Sequence, residues 1–198
     1  MVTFDRRTMK YYHFGQWRNN LQVGQLCATT WNPSLYWATL QSDAAAMTPL
    51  FNLRLFKATI QFKKEQIFER IRKMEFPNKP SRQNCMFLCE SEAQSREYAA
   101  KFGFTLPAYR LFEIECLVFE EHPTDEELDG WHISKDVFAE LREPIRHRGN
   151  LDFLRCNGYD DSRIEDMARR YWRGENTGND VLTEVLFRGF YRVIRAIG

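Results

Sequence analysis

Little net charge, no paired cysteine framework and no long apolar run mark this chain of 198 residues, and each absence removes a class of function. With 28 Lys and Arg against 27 Asp and Glu, the formal net charge is +1, so no global field selects a polyanionic or polycationic partner. The five cysteines, Cys27, Cys85, Cys89, Cys116 and Cys156, are odd in number. Cys85 and Cys89 have no second Cys/His pair, so neither zinc nor another metal is expected, and reduced thiols of a cytoplasmic protein are the simpler reading. The opening MVTFDRRTMKYY lacks the apolar core of a secretory signal, and no run approaches membrane-spanning length, so no membrane partner is expected. No G-x-G-x-x-G follows a strand, and there is neither a Walker loop nor a G-x-S-x-G elbow. Repeats, low-complexity tracts and long linkers are also missing, which predicts one domain over residues 1–198.

What is present is material for a core: 43% hydrophobic and 15% aromatic residues. Lys10–Phe14 reads as a first strand ended by Gly15, with His13 at its end; a lone histidine there is either a satisfied core residue or a ligand. Asn19–Thr30 reads as loop. Asn32-Pro33-Ser34 opens a turn, and a helix is expected over Ser34–Ala46. Leu50–Phe62 fits either helix or strand. Lys63–Glu75 is helical, with Ile67, Phe68, Ile71 and Met74 on one face and Pro77 beyond its end. Ala108–Phe119 alternates as a strand, Arg110, Phe112, Ile114, Cys116 and Val118 forming the more buried set. Thr124 and Glu127 fit a capping box, Ser134 caps a helix to Glu143, and Asp160 or Asp161 caps another through Arg173, with an apolar stripe of Ile164, Met167, Ala168, Tyr171 and Trp172. Val181–Ile197 reads as a hairpin about Arg188-Gly189. Helices between strands, with two late strands, predict an α+β fold with mixed or antiparallel sheets.

The stretch Met86–Phe104 is the most informative. Met86–Cys89 is a short apolar run, a buried strand, and Ser91 with Gln94 forms a capping-box pattern for a helix to about Lys101, stopped by Gly103. Ser95 and Tyr98 fall on one face of that helix. They are either a surface serine beside a core tyrosine or a clamp for a flat ring. Two charge patterns flank this region. Between Phe51 and Arg82 there are nine Lys/Arg and three Asp/Glu, either a phosphate-attracting surface or a solvated helix face. Between Glu113 and Asp129 there are eight acidic residues and no Lys or Arg; Glu113 and Glu115 share a side of their strand, and an exposed face is favoured over a cation site. Arg82, in the turn Pro80-Ser81-Arg82, has the shape to grip a phosphate. Glu184 lies mid-strand in apolar company, at an exposed edge or facing a cleft.

His13, the Phe87–Tyr98 block and Glu184 stand in one order along the chain. In that order the sequence resembles the ADP-ribosyltransferase superfamily, in its histidine–tyrosine–glutamate branch. Tyr12-His13-Phe14-Gly15 is similar to the first-strand block. Phe87, Ser95 and Tyr98 match the offsets of the second, with phenylalanine in place of the usual tyrosine at Phe87. Thr183-Glu184-Val185-Leu186 resembles the block carrying the catalytic glutamate. Pro80-Ser81-Arg82-Gln83-Asn84 and the ending EVLFRGFYRVI are also similar to an uncharacterised bacterial family placed near these transferases.

The resemblance implies split mixed or antiparallel sheets with flanking helices, and NAD as donor substrate. The glycosidic bond to nicotinamide would break through an oxocarbenium-like transition state. Glu184 would be the catalytic carboxylate; His13 would bind the adenosine ribose; Phe87 and Tyr98 would stack on the nicotinamide; Ser95 would bind its amide. Ser81 and Arg82 belong to the same expected NAD site, Arg82 on the pyrophosphate by its charge. The acceptor would be RNA, DNA or protein, and a toxin held by an antitoxin is one setting. Leu182 stands two residues before Glu184, where arginine-modifying relatives carry a glutamate or glutamine, so arginine is the less favoured acceptor. The alternatives are an NAD glycohydrolase or an RNA 2′-phosphotransferase on the same fold, or a nucleic-acid-binding or interaction module without catalysis.

Overall fold

The computed structural model describes residues 9–16, 21–29, 37, 38, 40–42, 53–102, 109–119, 121–155, 160–176, 178 and 182–197. The order is β1 (Met9–Gln16), β2 (Leu26–Ala28), α1 (Leu53–Glu75), β3 (Met86–Leu88), α2 (Glu92–Phe102), β4 (Tyr109–Cys116), α3 (Asp125–Gly130), α4 (Lys135–Leu141), β5 (Ile145–Asn150), a 3-10 turn (Leu151–Arg155), α5 (Asp161–Arg173), β6 (Thr183–Arg188) and β7 (Phe190–Ile197). The fold is α+β, with one four-stranded sheet in the order β1-β4-β7-β2 and one three-stranded sheet in the order β3-β6-β5. The chain divides into two compact units, one of Met1–Thr29, Phe87–Arg146 and Phe187–Gly198, the other of Thr30–Met86 and His147–Leu186.

Local chemistry explains most element ends. Thr124 and Glu127 form the full reciprocal box of α3, and Ser134 accepts from the Val137 N–H to open α4. Asp160 caps α5, which stops at Gly174 in the left-handed conformation. At α2, Ser91 Oγ accepts from the Gln94 N–H at 3.1 Å, but the Gln94 side chain returns to the Glu90 N–H, one residue earlier than the box expects. Trp37, Ala38 and residues 40–42 are helical; the rest of the helix expected over Ser34–Ala46, the turn at Asn32-Pro33 and the stop at Gly103 lie outside the described residues.

In the first unit, β1 runs antiparallel to β4 without interruption from Met9 opposite Cys116 to Gln16 opposite Tyr109. Part of the segment expected as loop, Leu26–Ala28, pairs instead with β7 as a short edge strand. Leu111 and Glu113 on one face of β4 and Phe112, Ile114 and Cys116 on the other are buried, whereas Arg110, expected in the buried set, is exposed; Glu113 is covered by Lys10 at 3.0 Å and Arg195 at 2.6 Å, from the strands on either side. The Lys10 ammonium, with Arg195, holds the Glu113 carboxyl below the ordinary glutamate range. Leu117, Phe119, Leu128, Phe138, Leu141 and Phe190 form a buried cluster.

In the second unit, α1 packs on α5. Phe68, Tyr171 and Trp172 are fully buried, and the Trp172 indole N–H donates to the Phe68 carbonyl at 2.9 Å. Met74, expected inward, is 72% exposed. The inward face of α1 turns the other way, and beside Ile67, Phe68 and Ile71 it buries Lys64, Glu65 and Glu69.

The expected hairpin at Arg188-Gly189 does not form. β6 belongs to the three-stranded sheet and β7 to the four-stranded one, so consecutive strands change sheets at Gly189. Val185, Leu186 and Phe187 are all buried, the mark of a strand covered on both faces rather than of a solvated hairpin arm. Gly189 has φ +154°, and a Cβ there would lie 2.9 Å from the Phe187 ring and 3.0 Å from Pro144. Its N–H donates to Thr29 Oγ1 and its carbonyl accepts from the Thr29 N–H, each at 3.0 Å. Gly189→Ala is expected to lower the unfolding free energy by about 1–3 kcal/mol, read by urea denaturation. An unchanged midpoint would contradict this account of the corner.

Candidate functional site

The candidate site of the second unit grows from the polar flank of α1. Glu65, Glu69 and Arg72 recur at helical spacing and turn toward the segment that follows the helix. Arg72 grips Glu69 with a two-pronged bond at 2.8 and 3.0 Å and donates to the carbonyls of Pro77 and Lys79. Ser81 Oγ donates to Glu69 at 2.8 Å. With the turn fixed this way, Arg82 is delivered inward. Its guanidinium forks onto Glu65 at 2.9 and 3.2 Å and donates through Nη1 to the Tyr171 hydroxyl at 2.8 Å and to Glu184.

Tyr171 completes the cluster from α5. Its hydroxyl donates to Glu184 Oε1 at 2.7 Å. Glu65, Arg82, Tyr171 and Glu184 are 2%, 5%, 0% and 1% exposed, so they form a desolvated network with one guanidinium facing two carboxylates. Glu184 Oε1 thus has two donors, while Oε2 is buried with no partner among the described residues. Burial pushes the Tyr171 hydroxyl up, so it stays protonated and remains a donor. The ring is held by edge contacts with Phe68, His147 and Trp172. A Cβ at Gly149 would fall 2.1 Å from the Tyr171 ring, which explains the glycine there.

His147 Nε2 lies 2.9 Å from the Tyr171 carbonyl. Burial first, then the Lys79 charge, bring its pKa from 6.5 down to about 4, so the ring is neutral at pH 7 and donates this bond. Between these values the unfolded chain binds a proton that the folded chain does not. The stability this histidine contributes is therefore complete above about pH 6.5 and is lost as pH falls toward about 4. His147→Gln, which keeps a donor, is expected to remove on the order of 2–3 kcal/mol of that pH dependence in urea unfolding between pH 7 and 4. A slope equal to that of the wild type would contradict this role.

The first unit holds the other expected residues. Backbone bonds between Tyr12 and Cys89 at 2.9 and 2.8 Å tie β1 to the segment after β3. His13 Nδ1 lies 2.9 Å from the Phe87 carbonyl, and burial, opposed by that carbonyl, lowers the pKa. The neutral ring therefore donates from Nδ1, and Nε2 is its acceptor nitrogen. Phe87 and Tyr98 are half-buried. Ser95 is fully buried; its hydroxyl lies beside the Cys89 thiol, a weak acceptor, and has no full hydrogen-bond partner among the described residues. So His13 and Phe87 are joined directly in one unit, and Ser81, Arg82 and Glu184 share the polar cluster of the other.

Two members of that cluster carry no separate signal in the sequence. Tyr171 sits within an apolar stripe, and Glu65 reads as an ordinary helix charge. The basic excess around α1 is largely matched within the unit. Arg70 pairs with Glu165 and Lys63 with Asp161, each at 2.6 Å. Among the described residues no group of three or more His, Cys, Asp or Glu could hold a metal ion, and no helix is long and apolar enough to cross a membrane.

Residues 32–198 match a family described as a protein of unknown function, DUF2441. The chain belongs to the DUF2441 family. No curated protein matches it. The DUF2441 match includes Ser81, Arg82, Phe87, Ser95, Tyr98 and Glu184 and leaves out His13.

Proposed function

We propose that this DUF2441 protein transfers ADP-ribose from NAD to a macromolecular acceptor, a nucleic acid or a protein. The observation that carries the reading is the state of Glu184: a buried carboxylate oriented through Oε1, with Oε2 unpartnered among the described residues. A buried acceptor without a donor is costly, and such atoms concentrate where a ligand completes them. A ribose hydroxyl is a donor of the right kind. The carboxylate charge would also favour the cationic sugar that develops as the bond to nicotinamide breaks. The leaving nicotinamide takes the bonding electrons, and the acceptor oxygen or nitrogen forms the new bond to the ribose carbon, Glu184 receiving its proton. In the first unit the resemblance assigns the ribose to His13, which is held through Nδ1 with Nε2 as its acceptor nitrogen, and the nicotinamide to the half-buried rings of Phe87 and Tyr98. Arg82 is engaged with Glu65, Tyr171 and Glu184, so its link to the site runs through the carboxylate.

The test is incubation of the purified chain with NAD labelled in the adenylate phosphate, together with a cell lysate. Label in protein, RNA or DNA is expected. Free ADP-ribose alone would indicate a glycohydrolase, and a cyclic phosphate an RNA 2′-phosphotransferase. Unconsumed NAD with salt-dependent RNA binding would replace the reading with a binding module.

A further inference from the structure

We infer that Tyr171 and Arg82 are positioning residues for Glu184, which fix its carboxylate through Oε1 and leave Oε2, buried and without a donor among the described residues, as the oxygen for a substrate hydroxyl. The inference rests on the transferase reading of Glu184 and adds an assignment of its two oxygens. Three observations carry it. Oε1 receives both described donors, the Tyr171 hydroxyl and an Arg82 N–H, whereas Oε2 receives none. Each donor is itself fixed: Arg82 by its two-pronged bond to Glu65, and the Tyr171 ring by Phe68, His147, Trp172 and the absent side chain of Gly149. All four polar side chains are buried, so water does not compete for these bonds and the carboxylate plane has one orientation. A carboxylate tethered by one oxygen has lost the rotational freedom that it would otherwise lose on substrate binding. The other oxygen is left to take a hydroxyl proton.

The test uses Tyr171→Phe, which keeps the ring in its packing and deletes one donor, alone and combined with Glu184→Gln. Nicotinamide release from NAD is measured at several pH values, and urea unfolding is measured on the same proteins. The expected result for Tyr171→Phe is a kcat about 10–100-fold lower with KM for NAD changed less than about 2-fold. In the Glu184→Gln background the same change should have no further effect on turnover, because it acts through Glu184. A wild-type kcat in Tyr171→Phe, or an equal loss in both backgrounds, would overturn the inference. If the wild type itself releases no nicotinamide, the transferase reading fails. The tether is then still tested in unfolding by pairing Tyr171→Phe with Glu184→Ala, which removes the accepting oxygen, since zero coupling between the two changes would overturn it. Arg82→Lys, which keeps charge but not the fork, is expected to lower kcat in the same direction.

Discussion

Arg82→Ala is expected to destabilise the protein by about 3–5 kcal/mol. The guanidinium lies between Glu65 and Glu184, which are 2% and 1% exposed. Deleting it leaves two carboxylates facing each other out of water and strips an N–H donor from the Tyr171 hydroxyl. Burying charge without a partner is costly, whereas the intact pair roughly balances its own desolvation, so the penalty comes from what is left behind. Arg70→Ala is the control. Its partner Glu165 is reached at 2.6 Å, but the arginine side chain is 53% exposed, and the loss should be within about 1 kcal/mol. Urea denaturation of the two variants measures the difference directly. Equal midpoints would show that the buried network carries no more weight than a surface pair.

Glu184→Gln should separate chemistry from folding. The amide oxygen can still accept from Tyr171 and Arg82, and Arg82 keeps its fork on Glu65, so the melting temperature is expected to stay within a few degrees of wild type. Nicotinamide release is expected to fall at least about 100-fold, because the neutral amide neither stabilises a developing cation nor accepts the acceptor's proton. Retained turnover in a folded variant would remove Glu184 from the chemistry.

Much of this fold is legible in local sequence, because local chemistry decides it. Ser134, Asp160 and the Thr124–Glu127 pair cap helices in the structure as their spacing dictates, and Gly174 ends α5 as a left-handed glycine. The strand about His13 and the short strand before Ser91 follow from apolar runs bounded by turn residues. Arrangement in space is a different matter. Gly189 looks like a hairpin turn because nothing local distinguishes a tight reversal from a corner between sheets; the distinction lies in Thr29, Pro144 and Phe187. A single apolar stripe places Met74 inward, yet part of the inward face of α1 is taken by Glu65 and Glu69. Alternation alone puts Glu113 on an exposed face, because Lys10 and Arg195, which cover it, come from other strands.

The candidate site shows the same division. Glu184 and Arg82 stand out in sequence as a carboxylate in an apolar strand and an arginine after a proline turn. That they bond to each other does not, because 102 positions separate them. Tyr171, 89 positions from Arg82, is hidden as one of several aromatics in an amphipathic helix. Only the folded chain distinguishes its hydroxyl from its ring.

We propose that the carboxylate of Glu184 drives cleavage of the bond between nicotinamide and ribose. Its most direct measurement is chromatographic quantification of nicotinamide released from NAD by the purified wild-type chain and by Glu184→Gln, at equal folded concentration. Release by the wild type is expected to rise with enzyme and time and to be at least about 100-fold slower in the variant. Release at the same rate from both proteins, or from neither, would contradict it.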